Sequence, residues 1–230
     1  MSVHIHDTAI VESGVQLGDG TSVWDNVHIR KNAVLGEQCI VGEKSYIAYD
    51  VRIGNRVKIN AMVYICAEVT IEDGVMISAG TVFTNDRFPR ATTSDLRQLR
   101  SSEPDEETRC TVVREGATIG AGCTIGNDLA IGRFAMIGMG SLVTKSIGDF
   151  ELAIGHPAHV VGYVCRCGHP LLRFANQVVF EVVNPAHDLG FRVRHADGAV
   201  EALVDGDVHV ALDRHGHDAA GPAFVVLPKV

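Results

Sequence analysis

A chain of 230 residues accommodates one sizeable domain, alone or with a small appendage. A formal net charge of −8 without a dominant basic patch argues against a nucleic-acid partner, and no apolar run approaches the roughly 18 residues of a membrane span. Apolar residues make up 46% but aromatics only 6%, so the core is expected to be built from small and β-branched side chains, as in β structure.

The opening Met1-Ser2-Val3-His4-Ile5-His6 has neither a charged n-region nor an apolar h-region, and is not expected to be a signal peptide. Six scattered cysteines do not suggest a disulfide framework, so a reducing cytoplasm is the expected location.

From Ile5 an apolar residue recurs every six positions: Val11, Leu17, Val23, Ile29, Leu35, Val41, Ile47, Ile53, Ile59, Ile65, Ile71, Ile77 and Phe83. The column returns as Val113, Ile119, Ile125, Ile131, Ile137 and Val143. Four residues after each stands a small or β-branched residue, such as Val15, Thr21, Ala33, Cys39, Ser45, Val57, Cys123 and Ser141. The position directly after the column is often Gly: Gly18, Gly36, Gly42, Gly54, Gly120, Gly126, Gly132 and Gly138. A strict six excludes an α-helix or coiled coil and is compatible with short strands. The flexible Gly is expected at the bend, and stacked units would bury a continuous interior. Residues 18 apart should align, so His28, Tyr46 and Tyr64 should form an outward ladder, a subunit contact or substrate wall.

The repeat breaks at 84–112, a polar excursion in which Ser94–Leu99 is expected to make one helical turn. After Val143 the phase is lost again, and the chain is expected to leave the prism. A β-helix domain over 1–162 and a small β-rich appendage over 163–230 follow, with strands near 178–183 and 191–193 and turns at 196–198 and 205–207. The tail opens on Cys165, Cys167 and His169, weak candidates for a metal because zinc wants four ligands and no later Cys exists. Ligation would have to recruit His, His169 or His187, while His215 and His217 read as a solvated loop.

The hexads resemble those of the hexapeptide-repeat transferase superfamily. That resemblance implies an all-β, left-handed parallel β-helix with three hexads to a coil, nearly seven coils here and about 32 Å tall, usually assembled as a homotrimer. The string Phe83-Thr84-Asn85-Asp86-Arg87-Phe88-Pro89-Arg90-Ala91 is more specific, and resembles bacterial N-acyltransferases of nucleotide-linked 3-amino sugars. His4–Val11, Val112–Ala121 and Gly155-His156-Pro157-Ala158 also fit, so the resemblance covers about 3–165. It implies transfer of an acetyl or related acyl group from acetyl-CoA to the 3-amino group of a UDP- or dTDP-linked sugar, with no metal needed for catalysis.

In that family the Asn matching Asn85 contacts the sugar amine. An amide carbonyl accepts one N–H bond and aims the nitrogen lone pair. Asp86, Arg87, Arg90, Tyr64 and Arg30 are the expected substrate contacts, Arg30 or Lys31 facing a uronate if one is present. Gly120, Arg133, Gly138, Lys145, His156 and Pro157 are expected along the coenzyme, with the Gly138 N–H as oxyanion donor. The closing motif reads His-Pro-Ala-His where the family often has Asn-Pro-Ala-Lys or Asn-Pro-Ala-Arg, so His159 supplies a phosphate contact only when protonated.

A γ-type carbonic anhydrase would need clustered His ligands, which the His-free stretch between Ile29 and Gly155 excludes. A serine or maltose acetyltransferase would place a His base in the excursion, where there is none. A non-catalytic scaffold, or a hexapeptide acetyltransferase for another small amine or hydroxyl acceptor, are the remaining alternatives. The intact Asn85-Asp86 string argues against the scaffold.

Overall fold

The computed structural model describes residues 2–101 and 108–175, and the strand segments 178–182, 193–195, 198–200, 202–204, 208–212 and 223–226. The described prism consists of short strands stacked in parallel on three faces, a left-handed β-helix without α-helices. Face one begins with His4–Ile5, Ser22–Val23, Ile40–Val41 and Lys58–Ile59. Face two begins with Ile10–Val11, His28–Ile29, Tyr46–Ile47 and Tyr64–Ile65. Face three begins with Gln16–Leu17, Val34–Leu35 and Arg52–Ile53. Partners are 18 residues apart, as in His28↔Tyr46 and Tyr46↔Tyr64, so the predicted ladder exists.

The six-residue column points inward and is buried from Val23 to Val143, while Ile5, in the first coil, is 42% exposed. The second column lines the corners. Where it is polar, the hydroxyl satisfies the turning backbone: Thr21 donates to the Gly36 carbonyl at 2.8 Å and Ser45 to that of Asn60 at 3.0 Å. These buried groups thus keep their hydrogen bonds.

The bends differ from expectation. The left-handed residue lies three positions after the inward column residue, at Gly20, Asn32, Gln38, Lys44, Arg56, Met62 and Phe134 among others. Each non-glycine there costs about 1 kcal/mol, offset by the coil ladder that imposes the turn. The glycines after the column answer a different demand, because the next coil runs directly against them. A Cβ on Gly42 would lie 2.6 Å from the Asn60 carbonyl carbon and 2.7 Å from the Ala61 nitrogen. Gly42→Ala is therefore expected to lower stability by about 2 kcal/mol, or roughly 4–8 °C in thermal midpoint. Gly122→Asn, left-handed and with no atom within 4 Å of a Cβ, should cost less than about 1 kcal/mol. Equal melting of the two variants would contradict the close-approach account.

The excursion leaves face two after Phe83 and rejoins on face three at strand Thr111–Val113. Across it the register is 42 instead of 18, as in Thr70↔Val112 and Phe83↔Ile125, so 24 residues have been inserted into an otherwise regular stack. Within the excursion the expected helical turn is absent. Thr92 bridges Leu99 in antiparallel sense, and Thr93 Oγ1 binds Asp95 Oδ1 at 2.5 Å, which turns the backbone away from a helix.

The chain does not leave the prism at Val143. Ile147 pairs with Ile131 and Ala153 with Ile137, each 16 residues on, so a shortened coil continues the stack. Face one then extends by antiparallel strands Ala158–Val164, Pro170–Ala175 and Val178–Val182. The change of composition at 163 falls inside a strand. Beyond it, His195↔Gly198 and Val204↔Val208 close two antiparallel pairs. Turn residues 196–197 and 205–207, as well as His187, His215 and His217, lie outside the described residues.

Candidate functional site

The outward side of face two and the corner that follows it carry Tyr64, Arg30 and Asn85. At its lower end Glu12 draws three neighbours together, Arg30 as an ion pair. Its Oε1 meets His28 Nε2 at 2.8 Å and Arg30 Nε at 2.7 Å, and its Oε2 accepts the Lys31 N–H at 2.9 Å. The His28 hydrogen bond foremost holds this carboxyl below its ordinary range. Arg30 also donates to the Tyr46 hydroxyl at 2.9 Å, which strengthens its hold on the proton. The Tyr46 and Tyr64 rings stack with centroids 5.0 Å apart, and burial pushes the Tyr64 phenol up. Arg30 and Lys31 lie 5.9 and 5.7 Å from the Tyr49 ring centre. Arg30 is thus committed to an internal carboxylate, and Lys31 is the cation of this pair facing an aromatic ring alone.

The 18-residue period extends the column Lys31, Tyr49, Ala67 up to Asn85, then Asn127 and Lys145. Asn85 stands where the excursion departs. Below it Phe83 is buried in the core, and the Thr84 N–H binds the Ile125 carbonyl at 3.0 Å. Its own carbonyl accepts the Arg109 N–H at 3.1 Å, and Asp86 bridges Thr108, so outgoing and returning chains form a closed neck. The half-buried Asn85 side chain donates Nδ2–H to the Ala67 carbonyl at 3.3 Å, which orients the amide and leaves Oδ1 as an acceptor. Beside it the Cys66 thiol is pushed up to about 12 by burial, with Asp86 adding to the shift, so it stays protonated at neutral pH.

Of the other excursion residues, Arg87 lies over the Phe88 ring at 5.5 Å and Arg90 donates to the Pro89 carbonyl at 2.9 Å; both are exposed.

The expected coenzyme residues divide between corners. Gly120 and Gly138 follow face-one strands and stand at the corner leading to face two, next to the hairpin turn at His156-Pro157, where the Gly155 N–H binds Ser141 Oγ at 3.2 Å. Arg133 follows a face-three strand at the next corner, its N–H held by Asp149 at 2.7 Å. Lys145 lies in the Asn85 column, two coils on, or about 10 Å. Sequence proximity thus grouped residues that the winding separates. The Gly138 N–H donates to the Ala153 carbonyl at 2.8 Å and the Gly120 N–H to that of Ile137 at 2.9 Å. The expectation that hexad glycines leave donors exposed is corrected accordingly, and Gly138 is not a free oxyanion donor. The extra coil after Val143 consumed it.

Sequence reasoning missed Glu12, Tyr49, Ala67 and Arg109. Stepping by 18 from Asn85 finds two of these; Glu12 and Arg109 sit off that column and carry no spacing signal.

The sequence has counterparts among known proteins. Residues 14–49 and 50–85 match the family model "Bacterial transferase hexapeptide (six repeats)". Over 94 residues, 41% of this chain, the sequence is 43% identical to a dTDP-3-amino-3,6-dideoxy-α-D-galactopyranose 3-N-acetyltransferase of Aneurinibacillus thermoaerophilus. The match spans 45% of that relative, less than half its length. A shorter stretch of 50 residues, 22% of this chain and 18% of the relative, is 44% identical to serine acetyltransferase of Escherichia coli. Among solved structures, the N-acyltransferase AntD of Bacillus cereus, in complex with dTDP and 3-hydroxybutyryl-CoA, superposes with a TM-score of 0.49 at 18% identity, covering 72% of this chain and 81% of AntD.

Proposed function

We propose that this chain, whose residues 14–49 and 50–85 match the bacterial transferase hexapeptide model, is an N-acyltransferase that moves an acetyl or related acyl group from acyl-CoA to the 3-amino group of a dTDP- or UDP-linked amino sugar. The observation that carries this reading is Asn85: an amide tied through Nδ2 to the Ala67 carbonyl, at the neck of the excursion, with Oδ1 left to accept. The Asn85-Asp86-Arg87-Phe88-Pro89-Arg90 string and the dTDP-3-amino sugar named for the Aneurinibacillus relative support the same acceptor.

Asn85 Oδ1 accepts one N–H of the neutral sugar amine, which leaves the nitrogen lone pair aimed at the thioester carbonyl carbon. The C–N bond forms as the carbonyl becomes an oxyanion; collapse breaks the C–S bond and releases the thiol, and the proton lost from nitrogen leaves to solvent or to the departing sulfur. Positioning of this kind supplies several kcal/mol of a barrier. The scheme assigns the proton to no histidine of the same copy. His28, the histidine on face two, is three coils below Asn85, about 14 Å away, and is bound to Glu12.

The Asn85–Lys145 column and the corner of Gly120, Gly138 and Pro157 border opposite edges of face two. We read the protein as a homotrimer with sites between neighbouring prisms, where the column of one copy faces the corner of the next, and as one that works in the cytoplasm. Sedimentation should give three times 24.7 kDa; a monomer with full turnover would contradict the shared site. The acceptor class is tested by thiol release from acetyl-CoA against 3-amino sugars, L-serine and maltose. Release with serine but with no amino sugar would move the chain to another class.

A further inference from the structure

Just past the last coil, Cys165-Arg166-Cys167-Gly168-His169 folds into a tight knuckle. The Cys165 N–H binds the His169 carbonyl at 2.9 Å and the Gly168 N–H binds that of Cys165 at 2.9 Å. Gly168 has a positive φ of 85°, which the turn requires. The knuckle is seated on the prism: the Arg166 guanidinium lies 4.5 Å from the Phe134 ring centre, and Phe134 stacks on Phe150 at 5.4 Å. Cys165 Sγ, Cys167 Sγ and a His169 ring nitrogen all lie within 4.8 Å of one another.

In this structure the two sulfurs form a disulfide. A bridge across one intervening residue closes almost no chain, so it removes little entropy from the unfolded state and is a poor staple. The neighbouring imidazole reaches one of its sulfurs. It completes a different arrangement: His169 Nδ1 is 3.3 Å from Cys167 Sγ, against about 3.6 Å between a sulfur and a nitrogen on tetrahedral zinc. We propose that, once reduced, Cys165, Cys167 and His169 bind one thiophilic divalent cation, zinc by preference, with a fourth position open to water or a further donor. A cytosolic dithiol supplies two electrons and two protons to open the bridge and is itself oxidised to a disulfide. The cation then displaces the two thiol protons. Bound there, it fixes the start of the tail against Phe134 without entering the acyl-transfer site.

The test uses the full chain reduced with a phosphine under anaerobic conditions, given zinc or cobalt(II), and freed of excess metal by gel filtration. One equivalent is expected to be retained, with an intense thiolate-to-cobalt absorption band. Cys167→Ser should abolish the band, and His169→Ala should weaken retention by about 10-fold or more. Both residues are exposed, so these variants keep the fold. The oxidised protein should retain none. No uptake by the reduced protein would overturn the proposal, and so would uptake that both variants leave unchanged, since that places the metal on Cys110 or elsewhere.

Discussion

Asn85→Ala is expected to lower kcat/KM for the amino-sugar acceptor by about 100-fold or more, equivalent to roughly 2.7 kcal/mol of transition-state stabilisation. The fall should lie in acceptor turnover, with KM for acetyl-CoA little changed, because the amide addresses the amine alone. Stability should drop by no more than about 1 kcal/mol, the net worth of one hydrogen bond to Ala67. Asn85→Asp separates the proposed role from a merely structural one. A carboxylate accepts the same N–H but also stabilises the ammonium, which raises the amine's pKa. Its activity should therefore be low at neutral pH and recover as the pH rises. A pH profile parallel to wild type, or an alanine variant with undiminished turnover, would remove Asn85 from the chemistry.

The second large effect concerns the excursion. The register across it exceeds a normal coil by 24 residues. Deleting 87–110 joins Asp86 to Thr111 and puts Val113 six residues after Phe83, restoring the hexad phase. The shortened chain should fold, with its thermal midpoint within a few degrees of wild type, because Phe83, Val113 and their neighbours keep their inward places. Acyl transfer should be lost, since Arg87, Arg90 and the Arg109 bond that closes the neck are gone. Aggregation on expression would contradict the view that the excursion is an insertion in a self-sufficient stack, and retained turnover would contradict its part in the site.

How much of this was legible before any coordinates follows from the periodicity. Ile47, Ile65 and Phe83 announced an inward column because six, a multiple of two, suits short stacked strands with one buried side per unit; the 18-residue coil implied by the hexapeptide resemblance then gave the His28–Tyr46–Tyr64 ladder. The left-handed positions were not legible. Lys44, Met62 and Phe134 share no chemistry, and their conformation is imposed by coils above and below. Glycine after the column was noticed but misread as a flexible bend, because only stacking reveals that backbone occupies the space a Cβ would need. The coil after Val143 was hidden by a shortfall of two residues, and with it the partner of the Gly138 N–H. Arg133 and Lys145 looked like one site because they are near in sequence; the winding places them at different corners. At Asn85 the residue was legible from the motif, while its tether to Ala67 needed the stack.

Acyl transfer to a sugar nitrogen is read most directly from its product. Wild-type protein is incubated with acetyl-CoA and a dTDP-linked 3-amino-3,6-dideoxyhexose, and the sugar is read by mass spectrometry and proton NMR. One acetyl group per sugar is expected, carried on the 3-nitrogen, with one free thiol released for each. Unmodified sugar with no thiol release, across both dTDP- and UDP-linked 3-amino acceptors, would contradict it.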